Sequence, residues 1–208
     1  MWALKKIIWS EYAPLLASWG LSLEERPISS KGGALFLVTS DFSPYLDRTK
    51  QSLVDEDFTF LLVRKVSGRK ERYWIVSDYG RSFDEVFAVK RKYTEEEEGA
   101  MRRLCDRAVS SFITFLFYCR CVKAGLDPLE TTYPQEMNYW VDVSIGGGCC
   151  LCVRFEFSRS KPKWAFRLAV FDCLNDHFRR LPPYKRKATK NPLKHFDDIL
   201  RLVYVARV

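Results

Sequence analysis

The chain has 208 residues, of which 47% are hydrophobic and 15% aromatic. This composition is sufficient for a packed core and excludes a disordered chain. Lysine and arginine outnumber the acidic residues by 34 to 26, a net charge of +8. The longest apolar run, near Phe112–Cys119, is far shorter than the roughly 20 residues of a membrane span. Because the N-terminus also has no signal-peptide pattern, we expect a cytosolic protein without a membrane segment.

The positive charge is regional. Between Arg154 and Lys194 there are twelve basic and three acidic side chains, a net charge of +9, so the remaining residues sum to −1. A basic region beside a nearly neutral remainder is typical of proteins that bind a polyanion, because phosphate neutralisation and counterion release drive such binding. The charge alone does not identify the polyanion.

The N-terminal segment predicts a helix. Leu4–Trp19 carries an apolar stripe at helical spacing, Pro14 allows a kink or a break, and Gly20 predicts the stop. A short strand is expected at Ala34–Thr39.

A hairpin and an amphipathic segment follow. Phe58–Val66 and Glu71–Ser77 have strand character, and the turn signal Ser67–Lys70 between them predicts antiparallel pairing. After a second turn, Ser77–Gly80, comes the short amphipathic piece Ser82–Ala88.

A long helix is predicted from Thr94 to Lys123. Thr94 and Glu97 fit a capping box, and the acidic first turn suits the positive end of the helix dipole. Its centre, Val109–Val122, is apolar on nearly all sides, which predicts a buried spine. Gly125 is the expected stop.

The second half predicts a loop and then a meander. Asp127–Pro134 has loop composition. Three strands are expected at Tyr139–Ile145, Cys149–Phe157 and Trp164–Phe171, with Gly146–Gly148 as the first turn. The triple glycine could also cradle a phosphate, but the helix and lysine of a P-loop do not follow it, which favours a plain hairpin turn.

The C-terminal segment predicts two helices around a basic loop. A short helix is predicted at Leu174–Leu181 and a loop at Tyr184–Lys190. Asn191 as N-cap and Pro192 at the first position begin the last helix. Strands and helices do not alternate strictly, so the predicted class is α+β, with antiparallel hairpin and meander sheets packed on a long, largely buried central helix. We expect one domain over 1–208, with 1–125 and 126–208 as alternative halves.

The seven cysteines favour buried, reduced thiols over disulfides or zinc. Their number is odd and no export signal accompanies them. Cys119 and Cys121 lie two apart in a helix and so point in different directions, whereas Cys150 and Cys152 share one face of a strand and Cys149 does not. We expect no metal and no cofactor.

Three segments follow one another in a recognisable order: Asp57–Val63, then Arg72–Gly80 with its Ser-Asp-Tyr-Gly turn, then the arginine-bearing helix near Met101–Val109. This order resembles an uncharacterised family of bacterial and phage proteins. Val143–Gly148 with Phe155–Phe157 is similar to the family's second half, where a Gly-rich turn precedes an aromatic strand. No residue role carries over, because the family has no settled activity and its turn appears here as three glycines. The resemblance implies a mobile-element setting, in which proteins of this size often modulate host or phage defence.

The basic C-terminal segment supplies the candidate binding residues. The loop near Tyr184 offers four cations and one aromatic ring that can stack, a combination suited to a phosphate backbone, although a charged loop can also be merely solvated. Neighbouring connections add further cations. The predicted nucleic-acid-binding residues are Arg159, Lys161, Lys163, Arg179, Arg180, Tyr184, Lys185, Arg186, Lys187, Lys190 and Lys194.

Two nuclease arrangements are the catalytic alternatives. Asp142, Glu156 and Lys163 have the residue types of an Mg²⁺ site, but hairpin spacing does not bring the two carboxylates together. His177 and His195 are the only histidines, and either has the chemistry of a general base. Asp78, a candidate acid, fits better as a turn residue before Gly80.

Trp2 and Trp9 lie seven residues apart on one face of the first helix and are candidates for docking a partner protein, or for the core. The sequence therefore favours a cytosolic, non-catalytic protein that contacts nucleic acid or a nucleoprotein complex, with modulation of host defence implied by the resemblance. A small nuclease and a subunit that binds an acidic protein remain the alternatives.

Overall fold

The computed structural model describes residues 2–28, 33–39, 58–65, 70–76, 82–88, 90, 92–133, 138–158, 163–172, 177–179 and 187–206. The protein is α+β, with two antiparallel sheets and one long helix. The described residues up to Val109 form one compact unit, and those from Ser110 form a second. The division thus falls inside the long helix.

The first helix is continuous across its proline. It comprises α1 (Trp2–Ile7), a π-helical turn (Ile8–Tyr12) and α2 (Ala13–Ala17). Pro14 has no N–H and crowds the carbonyl four residues before it, and the wider π turn immediately before the proline relieves that conflict. Gly20, at φ +81°, ends the helix, and Leu21 N–H donates to Leu16 O at 3.1 Å. The predicted glycine stop is therefore confirmed.

The first unit contains a five-stranded meander. Its strands pair in sequence order: β1 (Ser22–Ile28), β2 (Gly33–Thr39), β3 (Phe58–Lys65), β4 (Lys70–Val76) and β5 (Ser82–Ala88). The predicted hairpin of β3 and β4 is confirmed, with Leu62 opposite Trp74. The amphipathic piece at 82–88 is a strand that completes this sheet.

The long helix α3 (Glu95–Lys123) has the predicted bounds. Its capping box is formed, because Glu97 N–H donates to Thr94 Oγ1 at 3.2 Å and Thr94 N–H donates to Glu97 Oε2 at 3.0 Å. From Val109 to Val122 no side chain is exposed, as a buried spine requires. Gly125, at φ +76°, closes the helix in the same way as Gly20.

The second unit contains a larger sheet built on the predicted meander. The strands are β6 (Pro128–Tyr133), β7 (Asn138–Gly146), β8 (Cys149–Ser158), β9 (Lys163–Asp172), β10 (His177–Arg179) and β11 (Lys187–Thr189). The order is β10-β9-β8-β7-β6, and β11 also pairs with β9. Gly147 and Gly148 make the β7–β8 turn with φ of +59° and +72°, so the hairpin-turn interpretation is confirmed.

Four predictions missed short or peripheral strands. Ser22–Ile28 was not predicted, and the expected loop at 127–134 contains β6. The expected helix at 174–181 is wrong, because His177–Arg179 is a strand, and the expected basic loop at 184–190 contains β11. All four strands are edge or outlying members of their sheets, and their formation depends on pairing with another strand more than on local propensity.

The C-terminal helix begins as predicted. Asn191 Oδ1 accepts a hydrogen bond from Leu193 N–H at 3.0 Å, a 3₁₀ turn spans Pro192–His195, and α4 runs from Phe196 to Ala206. In the part of the chain that the structure describes, none of the helices has the length and apolar character needed to cross a bilayer.

Three aromatic rings form the centre of the second core. Phe117 of α3, Phe155 of β8 and Phe196 of α4 have ring centroids 5.3 to 5.9 Å apart, and all three are nearly inaccessible to solvent. Tilted and edge-on pairs at this distance are favourable beyond the area that they bury. One cluster therefore joins the long helix, the sheet and the last helix.

A buried threonine fixes the helix to the sheet beside this cluster. Thr114 is 1% exposed, and its hydroxyl donates to Ser110 O at 2.8 Å and accepts from Phe155 N–H at 3.2 Å. Phe155 lies two residues beyond the last β7–β8 pair, Val141 with Val153, so no β7 carbonyl is opposite this N–H. The threonine satisfies a backbone donor at the point where the ladder ends.

We expect Thr114→Val to lower the free energy of unfolding by about 1–3 kcal/mol, because the variant keeps the shape but leaves the buried Phe155 N–H without its acceptor. Thr114→Ser keeps the hydroxyl and serves as the matched control. Urea unfolding of both variants would measure the difference, and equal losses in the two would show that the hydrogen bond contributes nothing.

Candidate functional site

Only part of the predicted basic set lies in the described residues. Lys190 and Lys194 are described with their side chains and are exposed. Lys163, Arg179 and Lys187 are described as strand positions. The predicted residues outside the described ranges are Arg159, Lys161, Arg180, Tyr184, Lys185 and Arg186.

The tertiary structure gathers separate basic segments around β9. One edge of β9 pairs with β8 along its whole length, so β10 and β11 share the other edge. Arg179 lies opposite Val170, and Lys187 opposite Phe166. These two cross-strand positions are four residues apart along β9, or about 13 Å at ~3.3 Å per residue. We call β9, β10 and β11 with Lys190 and Lys194 the basic strip.

The register places basic positions on both faces of this strip. Arg154 and Arg167 are direct cross-strand partners, and position 163 shares their face of β9. Lys187 and Arg179 are in register with the opposite face, since Phe166 pairs with the buried Phe155. The basic positions are therefore divided between the two faces of the sheet at the β9 edge.

The structure separates the two carboxylates of the predicted metal-dependent nuclease site and gives each histidine a neighbouring acidic residue. Asp142 is opposite Cys152, whereas Glu156 is four residues farther along β8, about 13 Å away, which is too far to share one cation. His195 Nδ1 lies 3.5 Å from Asp198 Oδ2 of its own helix. His177 is opposite Asp172 at the end of β9. In the described ranges no group of three His, Cys, Asp or Glu side chains is placed to hold a metal ion.

The described cysteines are free thiols. Cys105, Cys119, Cys121 and Cys152 are buried, and Cys149 and Cys150 are half-buried. Burial raises the pKa of the Cys121 thiol to about 12 and that of Cys105 well above its usual value. The thiolate is the form that attacks or ligates a metal, so these two groups are suited to packing. Cys173 lies outside the described residues.

The first unit contains a groove that the sequence did not reveal. It has a volume of about 620 Å³ and lies between the N-terminal helix, the residues that precede α3, and the first turns of α3. We call it the N-terminal groove. Its lining includes Lys5, Lys6, Trp9, Lys92, Tyr93 and Arg102. Trp9, one of the two predicted docking residues, is 38% exposed there. Trp2 is described only as a helix position.

Ion pairs order most of the charges at this groove. Lys5 Nζ lies 2.8 Å from both carboxylate oxygens of Glu25 on β1. Arg102 Nε donates to Glu11 Oε1 at 2.9 Å and its terminal nitrogen lies 3.3 Å from Glu98, and Glu11 raises the Arg102 pKa. Lys90 pairs with Glu97, and this hydrogen bond lowers the Glu97 pKa. The Glu98–Arg102 pair has the i,i+4 spacing that a sequence can reveal. The pairs of Lys5 with Glu25 and of Arg102 with Glu11 join distant segments, so the sequence does not reveal them.

Three oxygen atoms, from Tyr12, Asp106 and the Arg102 backbone, form a cluster between the N-terminal helix and α3. Tyr12 Oη is 2.6 Å from Asp106 Oδ1 and 2.8 Å from Arg102 O. The Tyr12 hydroxyl can share its hydrogen between the two acceptors, or it can donate to the carbonyl while a protonated Asp106 donates to Tyr12 Oη. Burial first, and then the charge of Glu11, raise the Asp106 pKa to about 7, and Arg102 opposes this. A neutral Asp106 is compatible with both short contacts.

Comparison with protein-family models, with curated proteins and with solved structures found no match for this chain.

We expect the first unit to become less stable as the pH rises. Asp106 has a folded-state pKa of about 7 against an ordinary value of 3.8, so between these values the folded chain holds a proton that the unfolded chain has lost. Stability contributed by this proton is complete below pH 4 and is lost as the pH passes 7. Asp106→Asn, which can donate to Tyr12 at every pH, should flatten the dependence of Tm on pH.

Asp127→Asn is the matched control, because it also replaces one carboxyl group by an amide but does so at an exposed position. Thermal unfolding of the three proteins from pH 4 to pH 8.5 would test the assignment. A slope in Asp106→Asn equal to that of the unchanged chain would show that another group titrates.

Proposed function

We propose that this chain is a non-catalytic, cytosolic binding protein that holds nucleic acid, alone or in a nucleoprotein complex, on the basic strip. The observation that supports this most is the pairing of β10 and β11 with the same edge of β9. This pairing brings together strands that contain basic residues, and Lys190 and Lys194 follow β11 directly in the chain. The basic residues concerned are up to 31 positions apart, from Lys163 to Lys194.

The chemistry of the strip suits a phosphate backbone. Its cations are Lys163, Arg167, Arg179, Lys187, Lys190 and Lys194, against Asp172 as the acidic residue of the same elements. Lysine and arginine bind phosphates with little regard to sequence, and the counterions that they release supply much of the affinity. Basic positions that alternate between the two faces of an edge strand suit a phosphate backbone that passes along that edge.

Two further observations complete the proposal. Lys185 and Arg186 immediately precede β11 in the amino-acid sequence, so they belong to the same basic segment. The resemblance to the bacterial and phage family adds a setting, in which such binding modulates a host defence complex. An acidic protein that mimics nucleic acid is the competing partner, because it presents the same charges.

We expect replacement of Lys185, Arg186, Lys187 and Lys190 by alanine to weaken binding to short RNA and DNA and to flatten its salt dependence. If all four contact phosphates, the slope of log K against log salt should fall by about 3. Fluorescence polarisation over a salt series, with the same samples run on a gel with and without Mg²⁺, would measure both binding and cleavage.

The matched control removes four positive charges elsewhere. Arg103, Arg107, Lys123 and Arg201 are all exposed positions on α3 and α4, and their change to alanine should preserve binding. Equal weakening by both sets would reduce the effect to net charge and overturn the proposed surface. Failure of the unchanged protein to bind any oligonucleotide at low salt would favour the acidic protein partner, and cleavage would favour the nuclease.

A further inference from the structure

We propose that the N-terminal groove binds a nucleoside monophosphate or a ligand of the same class, which combines one phosphate with one planar ring. This site goes beyond the proposed function, because its residues belong to the first unit and none is part of the basic strip. The inference is carried by the distribution of paired and unpaired cations in the groove and by one partly exposed indole.

Two lysines are available for a phosphate. Three of the groove's cations already have acidic partners: Lys5 pairs with Glu25, Lys90 with Glu97, and Arg102 with both Glu11 and Glu98. Lys6 and Lys92 are exposed, line the same groove, and make no ion pair in the described part of the chain. An anion that reaches both would form charge-assisted hydrogen bonds without first breaking a protein ion pair.

The ring of Trp9 is held in place yet remains accessible. Its centroid lies 6.3 Å from that of the buried Phe36 in an edge-on arrangement, and its Nε1 lies 3.4 Å from Glu25 Oε2. Since 38% of the residue is still exposed, a planar group can stack on it without the entropic cost of ordering the indole. Base–aromatic stacking accepts every base, because every base has a π face.

The groove is better suited to a small ligand than to a long polyanion. Its volume of about 620 Å³ lies within the ~300–1,000 Å³ range of small-molecule sites. Glu11 and Glu98 line the same groove around Arg102. Further phosphates that extended toward these carboxylates would be repelled, so a single phosphate near Lys6 and Lys92 is the preferred anion.

The test is calorimetric titration of the full chain with adenosine, guanosine, cytidine and uridine 5′-monophosphates. Adenosine without phosphate and inorganic phosphate without a ring are the two partial ligands. We expect a nucleotide to bind at least about tenfold more tightly than either partial ligand, since it uses both the lysines and the ring. Equal affinity of adenosine and its monophosphate would overturn the phosphate site.

Two variants separate the two halves of the site. Lys6→Ala with Lys92→Ala should lower nucleotide affinity by about 10- to 100-fold, whereas Lys123→Ala with Arg201→Ala, which removes equal charge elsewhere, should leave it unchanged. Trp9→Leu keeps an apolar contact for Phe36 and should cost about tenfold. Unchanged affinity in either groove variant would overturn the inference, as would the absence of nucleotide binding at millimolar concentration.

The basic strip supplies the test of independence. The alanine variant at Lys185, Arg186, Lys187 and Lys190 should bind the nucleotide normally, and the groove variants should bind oligonucleotides normally. If the Lys6 and Lys92 changes weakened oligonucleotide binding as strongly as nucleotide binding, the groove would be part of the polyanion surface and not a separate site. Loss of oligonucleotide binding alone would concern only the proposed function.

Discussion

The burial of α3 is the constraint on which most of this structure depends. A 29-residue helix that satisfies its own backbone can place apolar side chains on all sides, and each unit uses its own part of it. In the first unit, Tyr12 reaches Arg102 and Asp106 of this helix. In the second, Thr114 and Phe117 meet the sheet and the last helix. The caps at Thr94 and Gly125 define where it starts and ends.

The two units differ in how their basic residues are balanced by acidic ones. Of the five cations that line the N-terminal groove, three have an acidic partner, and the two lysines proposed to bind phosphate have none among the described residues. Around β9, basic strand positions outnumber acidic ones, which is the charge balance that the proposed binding of a polyanion requires. Ion pairs between exposed groups contribute little to stability. Their effect in the groove is chiefly to decide which cations remain for a ligand.

Sequence patterns predicted the long helix, its capping box, both glycine stops, the β3–β4 hairpin and the three-stranded meander, because each depends on neighbours within a few residues. They failed at β1, β6, β10 and β11. Ser22–Ile28 carries glutamates and a proline, and the segment at 174–181 has leucines at helical spacing. Such segments become strands only through pairing with a neighbouring sheet member, which local propensity does not report.

The amino-acid sequence by itself determined that this protein has a core, one dominant helix and a C-terminal concentration of positive charge, because composition, periodicity and local capping are properties of adjacent residues. Only the tertiary structure decided which basic segments meet at β9, that they occupy both faces of its edge, and that Lys6, Trp9 and Lys92 share a groove. These arrangements join residues that are tens of positions apart, and the packing of whole elements brings them together.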